Sequence, residues 1–268
     1  MSQNQNESSI LVDSAGSRVT VTLNRAPANA LDVATSRLLY STMWELSQDH
    51  NVKVILIQSA SPKIFCAGAD VSTVEAHDVA LMDHLGKTLK DTFLLMRSMG
   101  PIIVAAVNGH CLGGGLELAL AADFRLASDS PAKWGLPEIN LGLFPGGGAV
   151  AMMSRLIGSQ KAFFMALSGQ PISVGEAYAW GLADELIAQK EFSERVEQFV
   201  TSINDAPAVP IKALKQAVWR GQEMTLAGAF DFERVMHGPL VQTPDCYEGV
   251  DAFRERRQAQ FGQGRMGE

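Results

Sequence analysis

Long apolar runs are missing from this sequence. One apolar run, Ile102–Val107, gives way to Asn108-Gly109-His110 far short of the roughly 20 residues that span a bilayer, so it reads as a buried strand and not an anchor. Cysteine is scarce as well. Cys66, Cys111 and Cys246 form no CxxC and no Cys/His pair at metal-ligand spacing, and an odd count argues against a disulfide framework. Reduced, mostly buried thiols and no metal are expected. Basic runs are absent apart from Arg254-Glu255-Arg256-Arg257, and with a formal net charge of −7 the chain offers no footprint for nucleic acid. Any anionic ligand must then be held by local groups. The first nine residues are rich in Gln, Asn and Ser with no basic segment leading into an apolar one, so no secretory leader is expected and the expected location is the cytoplasm. No internal repeat is visible.

What is present is ordinary globular material, 47% hydrophobic and 19% charged over 268 residues, enough for one large α/β core with a helical tail. Residues 10–13 and 18–23 are β-rich and flank Ser14-Ala15-Gly16-Ser17, which reads as a hairpin. Asp32 is placed to cap a helix whose apolar positions Leu39, Met43 and Leu46 recur at helical spacing, and 52–57 is then a short continuous apolar strand. Helical spacing returns at Val79, Met82, Leu85, Leu89 and Met96, stops at Gly100-Pro101 and feeds the strand Ile102–Val107. Parallel strands with crossover helices follow from this order. A further strand is predicted at 124–127, Gly/Pro-rich loops at 135–148, and helices at 149–157, 160–167, 191–203, 211–219, 226–236 and 245–258.

Two segments carry chemistry. Phe65-Cys66-Ala67-Gly68-Ala69-Asp70 is a small-residue loop between a strand and a helix, and Gly113-Gly114-Gly115-Leu116-Glu117 follows the next strand and opens an Ala-rich helix. Amides at the two strand ends can share one oxygen, the arrangement of an oxyanion hole. The alternative is that three glycines merely let a helix pack closely on a strand. Glu117 sits in that helix's first turn, where a carboxylate is favoured by the dipole alone. Glu138 follows Pro137 among apolar neighbours, in company that tunes an acid or base. Two glutamates in differently biased surroundings can hold one water between them. No serine or cysteine nucleophile with a plausible base competes.

Leu23-Asn24-Arg25 with Ala28-Asn29-Ala30-Leu31, the loop 65–70, Asn108-Gly109-His110-Cys111-Leu112-Gly113-Gly114-Gly115, and Pro137-Glu138 with Pro145-Gly146 resemble the crotonase, or enoyl-CoA hydratase/isomerase, superfamily over about residues 10–262. The resemblance implies an α/β fold, a crotonase-like stacked βαβ spiral core at 10–200 with a C-terminal helical trimerisation region at 201–268. It makes Ala69 and Gly114 the oxyanion donors, Glu117 and Glu138 the catalytic pair, and Gly146 a water-positioning backbone. Glutamate at both acidic positions favours a hydratase, since isomerases of the superfamily generally keep one. The substrate implied is an acyl-CoA, with CoA part of the substrate and no separate cofactor. Arg25, Ala28, Ala67, Asp70, Phe253 and Arg256 become candidates for contact with it, although Arg25 is equally suited to covering an apolar edge with its stem, and residues 248–257 to forming a solvated helix with a basic face. A homotrimer or dimer of trimers is the implied assembly. Alternatives are an enoyl-CoA isomerase or specialised dehydratase of the superfamily, and a catalytically silent CoA-binding scaffold.

The chain also departs from the pattern. Gly146-Gly147-Gly148-Ala149-Val150-Ala151-Met152-Met153 stands where polar members are usual, and Leu136 where Gln is common. An ordinary short-chain fatty acyl group is therefore not the obvious substrate. Met82, Leu85, Leu143 and Phe144 are candidates for an acyl pocket, or plain core.

Overall fold

Chain alternation decides the first elements of the computed structural model, which describes residues 8–262. The hairpin is β1 (Ile10–Ala15) and β2 (Arg18–Leu23), paired antiparallel. In α1 (Val33–Gln48), Asp32 is the cap as expected, its Oδ1 accepting from Thr35 N at 2.7 Å. The strand expected at 52–57 is β3 (Val54–Ser59), two residues later. Then come β4 (Ile64–Cys66), α2 (Val71–Glu75) and α3 (Val79–Ser98), the last capped by Asp78 through Ala80 N and Leu81 N. β5 (Ile102–Val107) matches its expected range. β6 (His110–Leu112), α4 (Gly114–Ala121), β7 (Phe124–Asp129), β8 (Lys133–Gly135) and a 3₁₀ turn (Pro137–Leu141) complete the part that carries the chemistry.

Downstream lie α5 (Ala149–Ile157), α6 (Ser159–Ser168), β9 (Ile172–Ser173), α7 (Val174–Trp180), β10 (Glu185–Ala188), α8 (Phe192–Asn204), α9 (Ala208–Gly221), α10 (Leu226–His237) and α11 (Pro244–Glu255). The expected boundary at 200–201 falls inside α8, and residues 1–7 and 263–268 lie outside the described residues. No helix among the described residues is long and apolar enough to cross a membrane.

Two sheets form, in the orders β1-β2-β3-β5-β7-β10 and β4-β6-β8-β9. β3, β5 and β7 of the large sheet are each followed within a few residues by β4, β6 and β8 of the small one, so the chain climbs as a spiral. The three-residue strands escaped the sequence reading because they are too short to show a period. Apolar residues run unbroken in the central strands because both faces are covered. Ile55, Ile57, Ile103, Ala105 and Val107 face the main core with α1 and α3, while Val54, Leu56, Val104 and Ala106 meet Val196 and Val200 of α8. Cys66 and Cys111 are buried free thiols in this core and Cys246 is half-buried. Burial pushes the Cys66 thiol up to about 12, so it is inert as a nucleophile.

The helical tail is tied to the core by charge. Lys215 of α9 is buried and reaches Asp123 at 2.7 Å, with Met96 O and Pro101 O at 2.9 and 2.8 Å. Asp123 also accepts from Ile103 N and from Trp219 Nε1, and Arg97 lies 4.0 Å over the Trp219 ring.

Candidate active site

Pairing of β4 with β6 sets Cys66 opposite Cys111, and the loops that follow these strands leave the small sheet side by side. A Cβ on Gly68 would stand 2.9 Å from Leu112 O and 3.0 Å from Gly114 N, and one on Gly114 would stand 3.5 Å from Ala69 N. The Ala69 and Gly114 amides are thus neighbours. Around Ala69, Leu31 N donates to Gly68 O and Asp70 N to Leu31 O, so in this parallel bridge the N–H of Ala69 itself faces the other way. Gly114 opens α4, where an N–H has no acceptor within the helix. The glycines of the run differ in what surrounds them. Gly115 is a packing glycine, since a Cβ there would lie 2.3 Å from Cys66 O. Gly113 has φ +52 and lies against Glu138, whose Oε1 would be 2.9 Å from a Cβ.

Glu117 is 3% exposed in the first turn of α4. Its Oε1 accepts from Gly147 N at 2.8 Å and Ala149 N at 3.2 Å, at the start of α5. Burial raises its pKa, and the Ala149, Gly147 and Gly148 amides oppose that rise by stabilising the carboxylate. Glu138 is held on the 3₁₀ turn begun by Pro137. Its Oε2 is buried without a hydrogen-bond partner among the described residues. Burial, with a contribution from the Glu117 charge, pushes Glu138 up to about 7. One carboxylate is therefore braced by amides and the other is poised to exchange a proton near neutrality.

The structure brings Ala69, Gly114, Glu117 and Glu138 together, and Gly146 adjoins Gly147 with nothing within 4 Å of where a Cβ would stand. Arg25 is occupied within the chain: it meets Asp70 at 2.7 Å, Asp32 at 3.2 Å and Ala30 O at 3.1 Å. Asp70 caps α2 through Ser72 N, and these partners lower its pKa. Ala67 N donates to Ala28 O, which ties two of the other candidates to one another. Phe253 is exposed and lines a cavity with Pro207, His237 and Leu240, and Arg256 ends α11; none of the other site candidates borders that cavity. Of the acyl-pocket candidates, Leu85 is core, Met82 is half-buried, and Leu143 and Phe144 are exposed. Sequence reasoning missed Gly147 and Ala149 as the donors to Glu117. The available signal was a glycine run directly before an apolar helix, which presents amides to an anion.

A profile of the enoyl-CoA hydratase/isomerase family matches residues 14–264. The short-chain-enoyl-CoA hydratase of Clostridium acetobutylicum is 31% identical over 249 residues, 92% of this chain and 95% of that protein. The crotonyl-CoA hydratase of Syntrophomonas wolfei is 31% identical over 240 residues, 89% and 92% of the two chains. A solved enoyl-CoA hydratase structure from Geobacillus kaustophilus superposes with a TM-score of 0.92 at 28% identity, covering 97% of this chain and 98% of that one. A spiral of short paired strands, two loops meeting at their ends and matches over nearly the whole length agree: the chain belongs to the enoyl-CoA hydratase/isomerase family.

Proposed function

We propose that the protein adds water reversibly to the double bond of a 2-enoyl-CoA thioester. The observation that carries this reading is the pairing of a buried Glu117 with a half-buried Glu138 in opposed surroundings beside two adjacent amides. The thioester oxygen accepts from the Ala69 and Gly114 N–H groups, which makes the β-carbon electrophilic and stabilises the enolate as it forms. Glu117, braced as a carboxylate, takes a proton from water while the water oxygen bonds the β-carbon. Glu138, protonated for part of the time at neutral pH, gives its proton to the α-carbon as the enolate collapses. One proton enters the pair and one leaves, so its net charge is unchanged, and the proton returns to Glu138 before the next cycle. Gly146 flanks the space in which the water is activated. CoA is part of the substrate, and the steps draw only on groups of the chain, water and the thioester. Exposed Leu214, Leu226, Phe230 and Phe253 on the helical tail support assembly with further copies, in the trimer or dimer of trimers implied by the family, which light scattering tests.

Crotonyl-CoA supplies the assay: its enoyl absorbance should fall on adding the protein, and acetoacetyl-CoA, an enolisable mimic of the intermediate, should bind more tightly than acetyl-CoA. Conversion of a 3-enoyl-CoA without hydration would make the protein an isomerase instead. Equal or absent binding of the two CoA esters would return it to a scaffold.

A further inference from the structure

A cavity of about 220 Å³ adjoins the site at Gly147, the residue whose N–H holds Glu117, with a lining that hydration itself does not need. Its wall toward Glu117 is Gly147-Gly148, and the Gly147 N–H is the group that holds Glu117. Glycine keeps that approach clear, since a Cβ at 147 would stand 2.5 Å from Glu117 Oε2 and 3.0 Å from the Phe93 ring. Away from the glutamate the wall is apolar, made by Phe93, Ala151 and Met152. Beyond it the rim is cationic: Lys90 and Arg97 come from α3 and Arg155 from α5, with Glu223 the lining carboxylate.

These cations are short of anions. Among the described residues neither Arg97 nor Arg155 has a carboxylate within 4.0 Å, and Lys90 shares Asp91, at 3.3 Å, with Lys87. Arg155 is exposed and donates to Ala151 O, while Arg97 is half-buried against Trp219. Burial, with help from Arg155 and Arg125, pulls the Arg97 pKa down against Asp123 and Glu223. Arg97 and Arg155 each stand in the last turn of a helix, where the dipole welcomes a cation. The dipoles account for a basic residue on each helix, but not for the convergence of both on one cavity bounded by Gly147, the residue whose N–H holds Glu117.

We propose that the acyl group of the substrate ends in a carboxylate, its methylenes lying against Phe93, Ala151 and Met152 and its terminal anion held by Arg155 and Arg97 with Lys90 beside them. The inference rests on the hydratase reading of the site and names the class of substrate, a 2-enoyl-CoA with an acidic tail. The polar members missing from the stretch after Pro145 fit this class, because Gly148, Ala151 and Met152 provide the room and the apolar wall that an extended chain needs.

Calorimetry on the intact protein with saturated pairs, adipyl-CoA against hexanoyl-CoA and glutaryl-CoA against pentanoyl-CoA, reads the inference without turnover. The carboxylate-ended member of at least one pair should bind about 10-fold more tightly, the size of a charge-assisted contact, and added salt should erode the preference. Arg155→Gln should lower the ratio severalfold, and Lys90→Gln, also at an exposed position, should lower it less. Equal binding within both pairs, or a preference that survives Arg155→Gln undiminished, would overturn the inference and leave the rim to an acidic surface of another protein. The crotonyl-CoA assay separates the two claims. Hydration without any carboxylate preference sinks only the acidic tail, a preference without hydration sinks only the hydratase reading, and failure to bind any of these esters sinks both.

Discussion

Asp123 and Glu138 are carboxylates withdrawn from water into opposite surroundings. Asp123 has Lys215 at 2.7 Å, the Ile103 amide at 2.7 Å and the Trp219 indole at 2.6 Å. Every partner it needs comes from this chain, and together they fasten α9 to the end of β5. Glu138 has one buried oxygen with no partner among the described residues, and lies close enough to Glu117 for that charge to raise its pKa. Concealment alone therefore does not mark a functional acid. The mark is concealment that the protein leaves uncompensated, because a group kept unsatisfied at a cost to stability is retained for what it does to a ligand.

Breaking the satisfied centre should produce the largest change in stability. Lys215→Met strands Asp123 in the core and should cost about 3–5 kcal/mol, read as a lower urea midpoint. A loss under about 1 kcal/mol would mean that the pair does not fasten α9. Gly114→Pro attacks the other centre through its backbone. Proline is tolerated at the first position of a helix, so the variant should fold while lacking one oxyanion N–H, and kcat should fall about 10²- to 10³-fold. Native-like protein with unimpaired turnover would remove Gly114 from the site.

The smallest effect sharpens the contrast most. A carboxyl raised from 4.5 to about 7 binds its proton more tightly in the folded state, so its contribution to stability is full below about 4.5 and is lost as the pH rises through about 7. Glu138→Gln cannot ionise. It should be more stable than the parent by roughly 1–2 kcal/mol near pH 8, after allowance for partial exposure, and the gap should close toward pH 4–5. Thermal melts across that range check the sign. A Glu138→Gln protein less stable than its parent at pH 8 would show that the carboxylate is compensated after all.

Much of this is legible in the sequence. Ile102–Val107 announced itself as a buried parallel strand, and Asp32 and the spacing of Leu39 and Met43 announced a capped helix. The small sheet was not legible: β4, β6 and β8 offer three residues each, and what defines them is pairing with distant partners. The same limit applied at the site. Glu117 and Glu138 were visible as carboxylates in unusual company, but Gly147 and Ala149 become donors to Glu117 only when α5 is folded against α4. Arg25 shows the same limit, since a basic residue in the right motif carries no sign of the Asp32 and Asp70 carboxylates that pair with it. Local chemistry is written in the chain; its satisfaction is decided by packing.

The account turns on proton transfers shared between amide-braced Glu117 and unsatisfied Glu138, and single-residue replacement tests it most directly. Glu117→Gln and Glu138→Gln keep the shape and hydrogen-bonding capacity of each side chain while removing its exchangeable proton. On crotonyl-CoA each should lower kcat about 10²- to 10⁴-fold with near-normal binding of acetoacetyl-CoA. If both variants hydrate crotonyl-CoA within a few-fold of the parent, the two-glutamate account is wrong.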